Sequence, residues 1–234
     1  MAKEFMVFYD LDGTLVDSIP SHMKFLRDMN KRFNCKLSLP DPHNREACKD
    51  FFDTSTLRNF IKKAGFPEEF LEEIAIRYKE DFKMSNHYHM EFFDGVESMI
   101  KNLGKKGIGQ GILTSNSIDK YNGLFDKKEA FKYLYPIIDR IQLDSTYSGR
   151  KSSYLNFHRG NNFLLPGEMV YVGDTINDYH ESIEAEVPFI GVTYGFQLDK
   201  SQKNHVPFPL VDNIKDLEKK IIEISGISEV SETT

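Results

Sequence analysis

The stretch of residues 6–18, MVFYDLDGTLVDS, limits the folds open to this chain more than any other part of it. Its first four residues are apolar or aromatic and predict a strand that is buried on both faces. Asp10 follows directly, and Asp12 stands before Gly13, whose conformational freedom suits a sharp turn. Ligands of open α/β sheets bind at the carboxyl ends of strands, so both carboxylates are expected to face one small volume. Because two close carboxylates repel each other, this arrangement indicates a metal site, acid–base chemistry, or both.

From residue 94 onward, apolar runs typical of strands alternate with amphipathic patterns typical of helices. This alternation predicts a Rossmann-like α/β fold, in which a mostly parallel sheet carries helices on both faces. The expected strands lie at residues 6–9, 108–113, 137–143, 168–172 and 187–193, and the expected helices at 96–103, 121–135, 154–163 and 213–224.

Residues 18–93 follow a different pattern, because their apolar residues recur at helical spacing with charges between them. The helical patterns cover residues 19–33, 57–64 and 70–82. Pro20 suits the first turn of the first helix, and Ser18 could cap it. The segment is far longer than an ordinary connection. We therefore expect an inserted α-helical cap domain at residues 18–93 and an α/β core made of residues 1–17 and 94–234.

Three apolar runs end in polar, reactive side chains, namely Asp10, Thr114 and Asp174. Strands of a parallel sheet end at one edge, so these residues are expected to converge on one pocket. A carboxylate can attack phosphorus to form an aspartyl-phosphate, which makes Asp10 the candidate nucleophile. Asp12 would protonate the leaving oxygen and then take a proton from the attacking water. Taken alone, Asp12 and Gly13 also suit an ordinary turn.

The sequence DLDGT at residues 10–14 resembles the first motif of the haloacid dehalogenase-like superfamily of phosphatases and phosphomutases. Residues 15–18 continue it as in the subgroup with a helical cap, which includes phosphoglycolate phosphatases and β-phosphoglucomutases. The similarity runs in pieces over about residues 5–195 and implies for Asp10 and Asp12 the roles given above. The dehalogenases of the superfamily lack an acid at the position of Asp12, so the resemblance argues against dehalogenation.

The sequence GDTIND at residues 173–178 resembles the fourth motif of the same superfamily. The resemblance implies a Mg²⁺ ion held by the side chains of Asp10 and Asp174 and by the backbone carbonyl of Asp12. Asp178 would act through a water molecule or as an outer contact. Considered separately, Asp174 could be a helix N-cap and Asp178 part of a solvated helix face.

Thr114 matches the second motif, a hydroxyl at a strand tip that binds a phosphoryl oxygen, and Ser115 and Asn116 resemble its common companions. A hydroxyl that merely caps the strand end is the alternative for Thr114. The third motif places a Lys before a helix, often followed by Pro. Lys151 fits best by spacing, Arg150 is its rival, and no Pro follows. Such a cation would neutralise charge on the phosphoryl oxygens, whereas the alternative is a solvated loop Lys.

Arg45 and Lys49 of the expected cap, together with Arg58, are candidate contacts of the substrate. The cap would shield the site from water. Each of these cations is also typical of an ordinary surface charge, which is the commoner case. His87 and His89 suggest a metal pair only weakly, because nothing nearby completes a ligand set.

The charge balance narrows the class of partner. With 30 basic and 36 acidic residues the formal charge is −6, which argues against nucleic acid. No apolar run approaches the ~20 residues of a membrane helix, and the amino terminus lacks the layout of a signal peptide. Cys35 and Cys48 are expected to be reduced thiols of a cytoplasmic protein. A monomer or homodimer is expected.

These features predict a Mg²⁺-dependent phosphatase that acts on a small phosphorylated metabolite through an aspartyl-phosphate. Two alternatives stay open. One is a phosphomutase of a sugar phosphate. The other is a signalling protein that, like receiver domains, holds a phosphorylated Asp as a switch without turnover. Repeated release of phosphate separates an enzyme from a switch, which would give a single stoichiometric burst.

Overall fold

The structure, a computed structural model, describes residues 5–52, 56–84, 88, 90–121, 123–125 and 129–227 of the 234-residue chain. The chain divides into two compact units. Unit 1 consists of residues 1–15, 92–118 and 127–234, and unit 2 of residues 16–91 and 119–126. The sequence did not indicate that residues 119–126 group with unit 2. The role of a cap for residues 18–93 stays a prediction, and His87 and His89 lie outside the described residues.

The described residues form a parallel sheet, as the sequence predicts. The strands are β1 (Met6–Tyr9), β2 (Val16–Asp17), β3 (Glu91–Phe92), β4 (Gly109–Leu113), β5 (Leu134–Ile138), β6 (Met169–Gly173), β7 (Phe189–Val192) and β8 (Leu210–Val211). Six of them build one sheet in the order β5-β4-β1-β6-β7-β8, with each neighbouring pair parallel. β2 and β3 pair in a separate two-stranded sheet. The predicted α/β fold is confirmed, and β1 lies inside the sheet between β4 and β6.

Unit 2 is helical. Its helices are α1 (Ile19–Arg32), α2 (Arg45–Phe52), α3 (Leu57–Lys63) and α4 (Leu71–Met84). One face of α1 is buried, including Met23 and Leu26, as its periodicity predicts. Pro20 lies in the first turn, also as expected. Ser18 occupies the N-cap position but makes no capping hydrogen bond, because its backbone is already helical (φ −95°, ψ −7°). The expectation that the side chain of Ser18 caps the N-terminus of α1 is therefore wrong.

Helices cover both faces of the large sheet. The helices of unit 1 are α5 (Val96–Lys105), α6 (Arg140–Thr146), α7 (Lys151–Asn161), α8 (Ile176–Glu184) and α9 (Ile214–Ser225). On one face, Tyr154 of α7 packs edge-on against Phe8, and α8 contacts α7. On the other face, Gln110 accepts a hydrogen bond from Tyr9 and donates one to the carbonyl of Ile100 in α5, which contacts α9. No helix within the described residues is long and apolar enough to span a bilayer.

The segment between β4 and α7 differs from the sequence expectation. Among the described residues the helix predicted over 121–135 is wrong, and the strand predicted near 137–143 lies earlier, at Leu134–Ile138. The described part of the segment forms short 3-10 turns at Ile118–Tyr121 and Glu129–Tyr133, followed by β5 and α6. Asp139 explains the second error, because its carboxylate accepts hydrogen bonds from the backbone amides of Ile141 and Gln142. This capping starts a helix where alternating apolar residues suggest a strand.

Candidate active site

The carboxyl edge of the sheet in unit 1 collects the strand-end residues singled out in the sequence. β1 pairs in parallel with β4 on one side and with β6 on the other. Asp10 directly follows β1, Thr114 follows β4 and Asp174 follows β6, so all three lie at this edge. The backbone N–H of Asp10 donates to the carbonyl of Val172 at 2.8 Å, which continues the pairing of β1 with β6 to the strand tip.

Among the described residues, carboxylates of three aspartates meet at this edge. Asp10, Asp174 and Asp178 each offer an oxygen within 4.8 Å of the other two. Asp174 and Asp178 are only 0% and 2% exposed. Asp178 is therefore not part of a solvated helix face. Asp174 is not the N-cap of α8 either, because the side chain of Thr175 fills that position.

Lys151 supplies the positive charge at the centre of this group. It is the first residue of α7, and its side chain is 5% exposed. Its Nζ donates to Oδ1 of Asp10 at 2.8 Å and to Oδ1 of Asp178 at 2.7 Å. The neighbouring Arg150 is half exposed and pairs with Glu184 instead. Of the two cations considered from the sequence, the structure thus places Lys151 in the site.

Asp178 is fixed by hydroxyl groups as well as by the ammonium. The hydroxyl of Thr175 donates to Oδ2 of Asp178 at 2.6 Å and accepts the N–H of Asp178 at 3.0 Å. The hydroxyl of Tyr171 in β6 donates to Oδ1 at 2.8 Å. Neither contact is predicted from the sequence. A tyrosine inside a fully buried strand is a signal that its hydroxyl has a partner, although not of which partner it has.

Asp174 is enclosed by backbone. The N–H of Phe196 donates to its Oδ2 at 2.6 Å, and the hydroxyl of Thr14 donates to its Oδ1 at 3.2 Å. A Cβ built on Gly13, which has φ +74°, would lie 2.3 Å from Oδ2 of Asp174. A Cβ on Gly195 would lie 2.4 Å from the Cβ of Asp174. Both positions require glycine, because any side chain there would collide with the carboxylate.

Burial and mutual repulsion shift the acidity of the carboxylates. Burial raises the pKa of Asp10 to about 7, against the opposing charge of Lys151. Burial, followed by the charges of Asp178 and Asp10, raises the pKa of Asp174 well above its usual value. Burial would also raise the pKa of Asp178, but Lys151 and the hydrogen bonds to Asp178 hold it below its usual value. One ammonium therefore does not balance the negative charge of this group.

These residues fit a hard divalent cation. The donors are all oxygen atoms, which Mg²⁺ and Ca²⁺ prefer, and the raised pKa values show that added positive charge would stabilise the ionised carboxylates. Asp10, Asp174 and Asp178 are the side chains placed to hold such an ion. Among the described residues, the side chain of Asp12 is not one of the three carboxylates that could hold the ion. Its backbone carbonyl as a ligand stays a prediction.

Further polar side chains lie at the carboxyl end of β4. Thr114 is 1% exposed, and its Oγ1 accepts the N–H of Asn116 at 3.1 Å. This is the capping contact considered as an alternative, and it leaves the O–H of Thr114 able to donate to a ligand. Ser115 is exposed. The amide Nδ2 of Asn116 donates to Oδ2 of Asp12 at 2.5 Å, a contact that the sequence did not predict and that orients the expected general acid.

The cations considered for substrate contact lie in unit 2 and have acidic neighbours there. Arg45 of α2 forms an ion pair with Asp17, and Lys49 of the same helix pairs with Glu46 at 3.3 Å. Arg58 in α3 also pairs with an acid of unit 2. Contact of these residues with a substrate stays a prediction.

Comparison with known proteins shows the family. The sequence model of the haloacid dehalogenase-like hydrolase family matches residues 7–192. The chain therefore belongs to this family. Phosphoglycolate phosphatase 1 of Pseudomonas aeruginosa is 25% identical over 219 residues, covering 91% of this chain and 78% of that protein. A 5′-nucleotidase of the same species is 24% identical over 208 residues, covering 86% and 88%. A solved haloacid dehalogenase-like hydrolase of Streptococcus pneumoniae shares the fold, with a TM-score of 0.70, 18% identity and coverage of 94% and 100%.

Proposed function

We propose that this protein is a Mg²⁺-dependent phosphatase that hydrolyses a small phosphomonoester through an aspartyl-phosphate on Asp10. The observation that carries the proposal is the buried group in which Asp10 lies beside Lys151, Asp174 and Asp178. Its members come from parts of the chain that are distant in sequence and meet at the edge where α/β sheets bind ligands. Family membership supports a hydrolase, and the names of two relatives support a small phosphorylated substrate.

The chemistry takes two steps. In the first, a carboxylate oxygen of Asp10 bonds to phosphorus while the bond from phosphorus to the ester oxygen breaks. Asp12, protonated at the start, gives its proton to the leaving oxygen. In the second step, Asp12 takes a proton from water as the water oxygen bonds to phosphorus and the bond from phosphorus to Asp10 breaks. The products are an alcohol and inorganic phosphate, and both aspartates return to their starting state.

The other residues of the site would bind and neutralise the phosphoryl group. The ammonium of Lys151 and the hydroxyls of Thr114 and Ser115 are the proposed donors to its oxygens. The carboxylates of Asp10 and Asp174 and the carbonyl of Asp12 would hold Mg²⁺, with Asp178 contacting it through water. When bound, the ion supplies positive charge that offsets repulsion between the carboxylates and the phosphoryl group.

Residues 18–93 would act as the cap of this site, and Arg45 and Lys49 would contact the part of the substrate beyond its phosphate. A cap that closes over the entrance favours a small metabolite over a phosphoprotein. Phosphoglycolate, sugar phosphates and nucleoside monophosphates are the substrate classes to compare.

The test is release of inorganic phosphate from p-nitrophenyl phosphate and from a panel of phosphorylated metabolites, with Mg²⁺ or with EDTA. We expect many turnovers with Mg²⁺ and none with EDTA. Asp12→Asn should lower kcat by about 10²–10⁴-fold, the usual contribution of general acid–base catalysis. A single stoichiometric burst would favour the signalling switch. Isomerisation of a sugar phosphate without phosphate release would favour the phosphomutase.

A further inference from the structure

Tyr171 joins the charged group although no motif of the sequence points to it. It lies within β6 and has no exposed surface. Its hydroxyl accepts a hydrogen bond from Nζ of Lys151 at 2.7 Å and donates one to Oδ1 of Asp178 at 2.8 Å. The same Oδ1 accepts from Lys151 at 2.7 Å. Tyr171, Lys151 and Asp178 therefore form a closed triangle of hydrogen bonds in the interior of unit 1.

The triangle and Asp10 together fix the direction of every N–H of the ammonium. An ammonium has three donors, and Lys151 has three acceptors: Oδ1 of Asp10 at 2.8 Å, Oδ1 of Asp178 at 2.7 Å and the hydroxyl of Tyr171 at 2.7 Å. The two carboxylates supply the attraction between charges. The hydroxyl of Tyr171 uses the third donor, so that the ammonium is held in orientation as well as in position.

We infer that Tyr171 is a positioning residue that acts through Lys151 during phosphoryl transfer, an inference that rests on the proposed function. Once Asp10 carries the phosphoryl group, its remaining oxygen is the neutral carbonyl of an acyl phosphate. Hydrogen bonds to neutral acceptors are weaker than those to carboxylates, so the hold of Asp10 on Lys151 weakens. Tyr171 and Asp178 then keep the ammonium in place, and the N–H that pointed to Asp10 is free to donate to a phosphoryl oxygen. A donor already in place stabilises the transition state without reorganisation.

Tyr9 provides a matched control for a buried hydroxyl with a purely structural role. It lies in β1, next to β6, and is also without exposed surface. Its hydroxyl donates to Oε1 of Gln110 at 3.0 Å, on the face of the sheet opposite to Phe8 and Tyr171. Tyr9→Phe and Tyr171→Phe each remove one buried hydroxyl. Only the second removes an acceptor of Lys151.

The test compares these two variants with p-nitrophenyl phosphate and Mg²⁺. Tyr171→Phe should lower kcat by about 10–100-fold, as expected for misplacement of a catalytic group, and leave KM within about two-fold. Tyr9→Phe should leave both within about two-fold. When Lys151 is already replaced by Met, Tyr171→Phe should not lower kcat further, because two residues that act through one contact are not additive. Equal kcat for the two Phe variants, or additive losses in the double variant, would overturn the inference.

A crystal structure of Tyr171→Phe gives a readout that needs no activity. With Mg²⁺ and beryllofluoride, which mimics the aspartyl-phosphate on Asp10, we expect Nζ of Lys151 to be displaced from its position in the same complex of the wild type; an unmoved ammonium would contradict the inference. An inactive wild type would overturn the proposed function itself, whereas an active wild type with an equally active Tyr171→Phe would overturn only this inference. Should Tyr171→Phe not fold, the double variant with Lys151→Met decides. Folding of the double variant supports a role through Lys151, and its failure where Lys151→Met alone folds shows a structural role.

Discussion

The charged side chains at the sheet edge of unit 1 and those on the helices of unit 2 are of the same kinds, but they are held differently. Lys151 is 5% exposed and pairs with Asp10, 141 positions away. Arg58 of α3 is 51% exposed and pairs with Glu68, 10 positions away. Exposed pairs contribute about 0–1 kcal/mol, whereas removing one partner of a buried pair costs about 3–5 kcal/mol. The position of the buried Lys151 therefore depends on the fold of unit 1 as a whole. The position of the exposed Arg58 depends only on its neighbours in unit 2.

The largest effect is expected at Asp10 itself. Asp10→Asn removes the nucleophile and should lower kcat by about 10⁴-fold or more, because an amide does not form the acyl phosphate. Phosphate release with Mg²⁺ measures the loss, and circular dichroism checks the fold. Arg77→Gln, which breaks the pair with Glu73 on α4, is the control from unit 2 and should keep kcat within about two-fold. Activity of Asp10→Asn above ~1% of wild type would contradict the role of Asp10.

Lys151 and Arg150 allow the buried and the exposed charge to be compared at adjacent positions of the chain. Lys151→Met should lower kcat by about 10³-fold, because it removes the proposed donor to the phosphoryl group. Arg150→Met breaks the pairs of the half-exposed Arg150 with Glu184 and Glu181, none of which involves Asp10, and should change kcat by less than about two-fold. Steady-state kinetics and thermal melting of both variants measure the difference. Similar losses of kcat in the two variants would contradict the expectation that the buried cation matters more for catalysis than the exposed one.

The stability of the metal-free protein should depend on pH through Asp10. Its pKa is raised to about 7 in the folded protein, so the folded state binds this proton more tightly than the unfolded state. The resulting stabilisation is complete below the unfolded pKa of ~4 and is lost as the pH rises through ~7. Between pH 5 and pH 8, wild type in EDTA should lose about 2–3 kcal/mol more than Asp10→Asn does. Urea unfolding at the two pH values measures this, and parallel curves for both proteins would refute it.

The smallest effects are expected on α2. Arg45→Gln and Lys49→Gln should each change the free energy of unfolding by about 1 kcal/mol or less, because the acids with which they pair, Asp17 and Glu46, keep contact with solvent. If they contact the substrate beyond its phosphate, KM for the preferred metabolite should rise about 3–10-fold with kcat unchanged. KM for p-nitrophenyl phosphate should stay constant. Unchanged KM for every substrate would leave these cations with a local role only.

The parts of the site that could be predicted from the sequence are those with a local pattern. An apolar run that ends in an acid marks a strand tip, and parallel topology then brings Asp10 and Asp174 together. The partners of Tyr171 and Asn116 could not be predicted, because they depend on which side chains face each other across neighbouring elements. Between β4 and α7 the alternation of apolar residues was misleading, since capping by Asp139 outweighed it.

The central place of β1 in the sheet has a consequence for synthesis of the chain. β1 is made first, but its neighbours β4 and β6 begin only at Gly109 and Met169. During translation, the strand that leads into Asp10 therefore lacks its neighbour β6 until the chain has been made as far as residues 169–173. During that interval its apolar sequence MVFY is open to mispairing and to chaperones. A chain that stops before Met169 lacks β6 and therefore cannot assemble this edge of the sheet, even if its helices have formed.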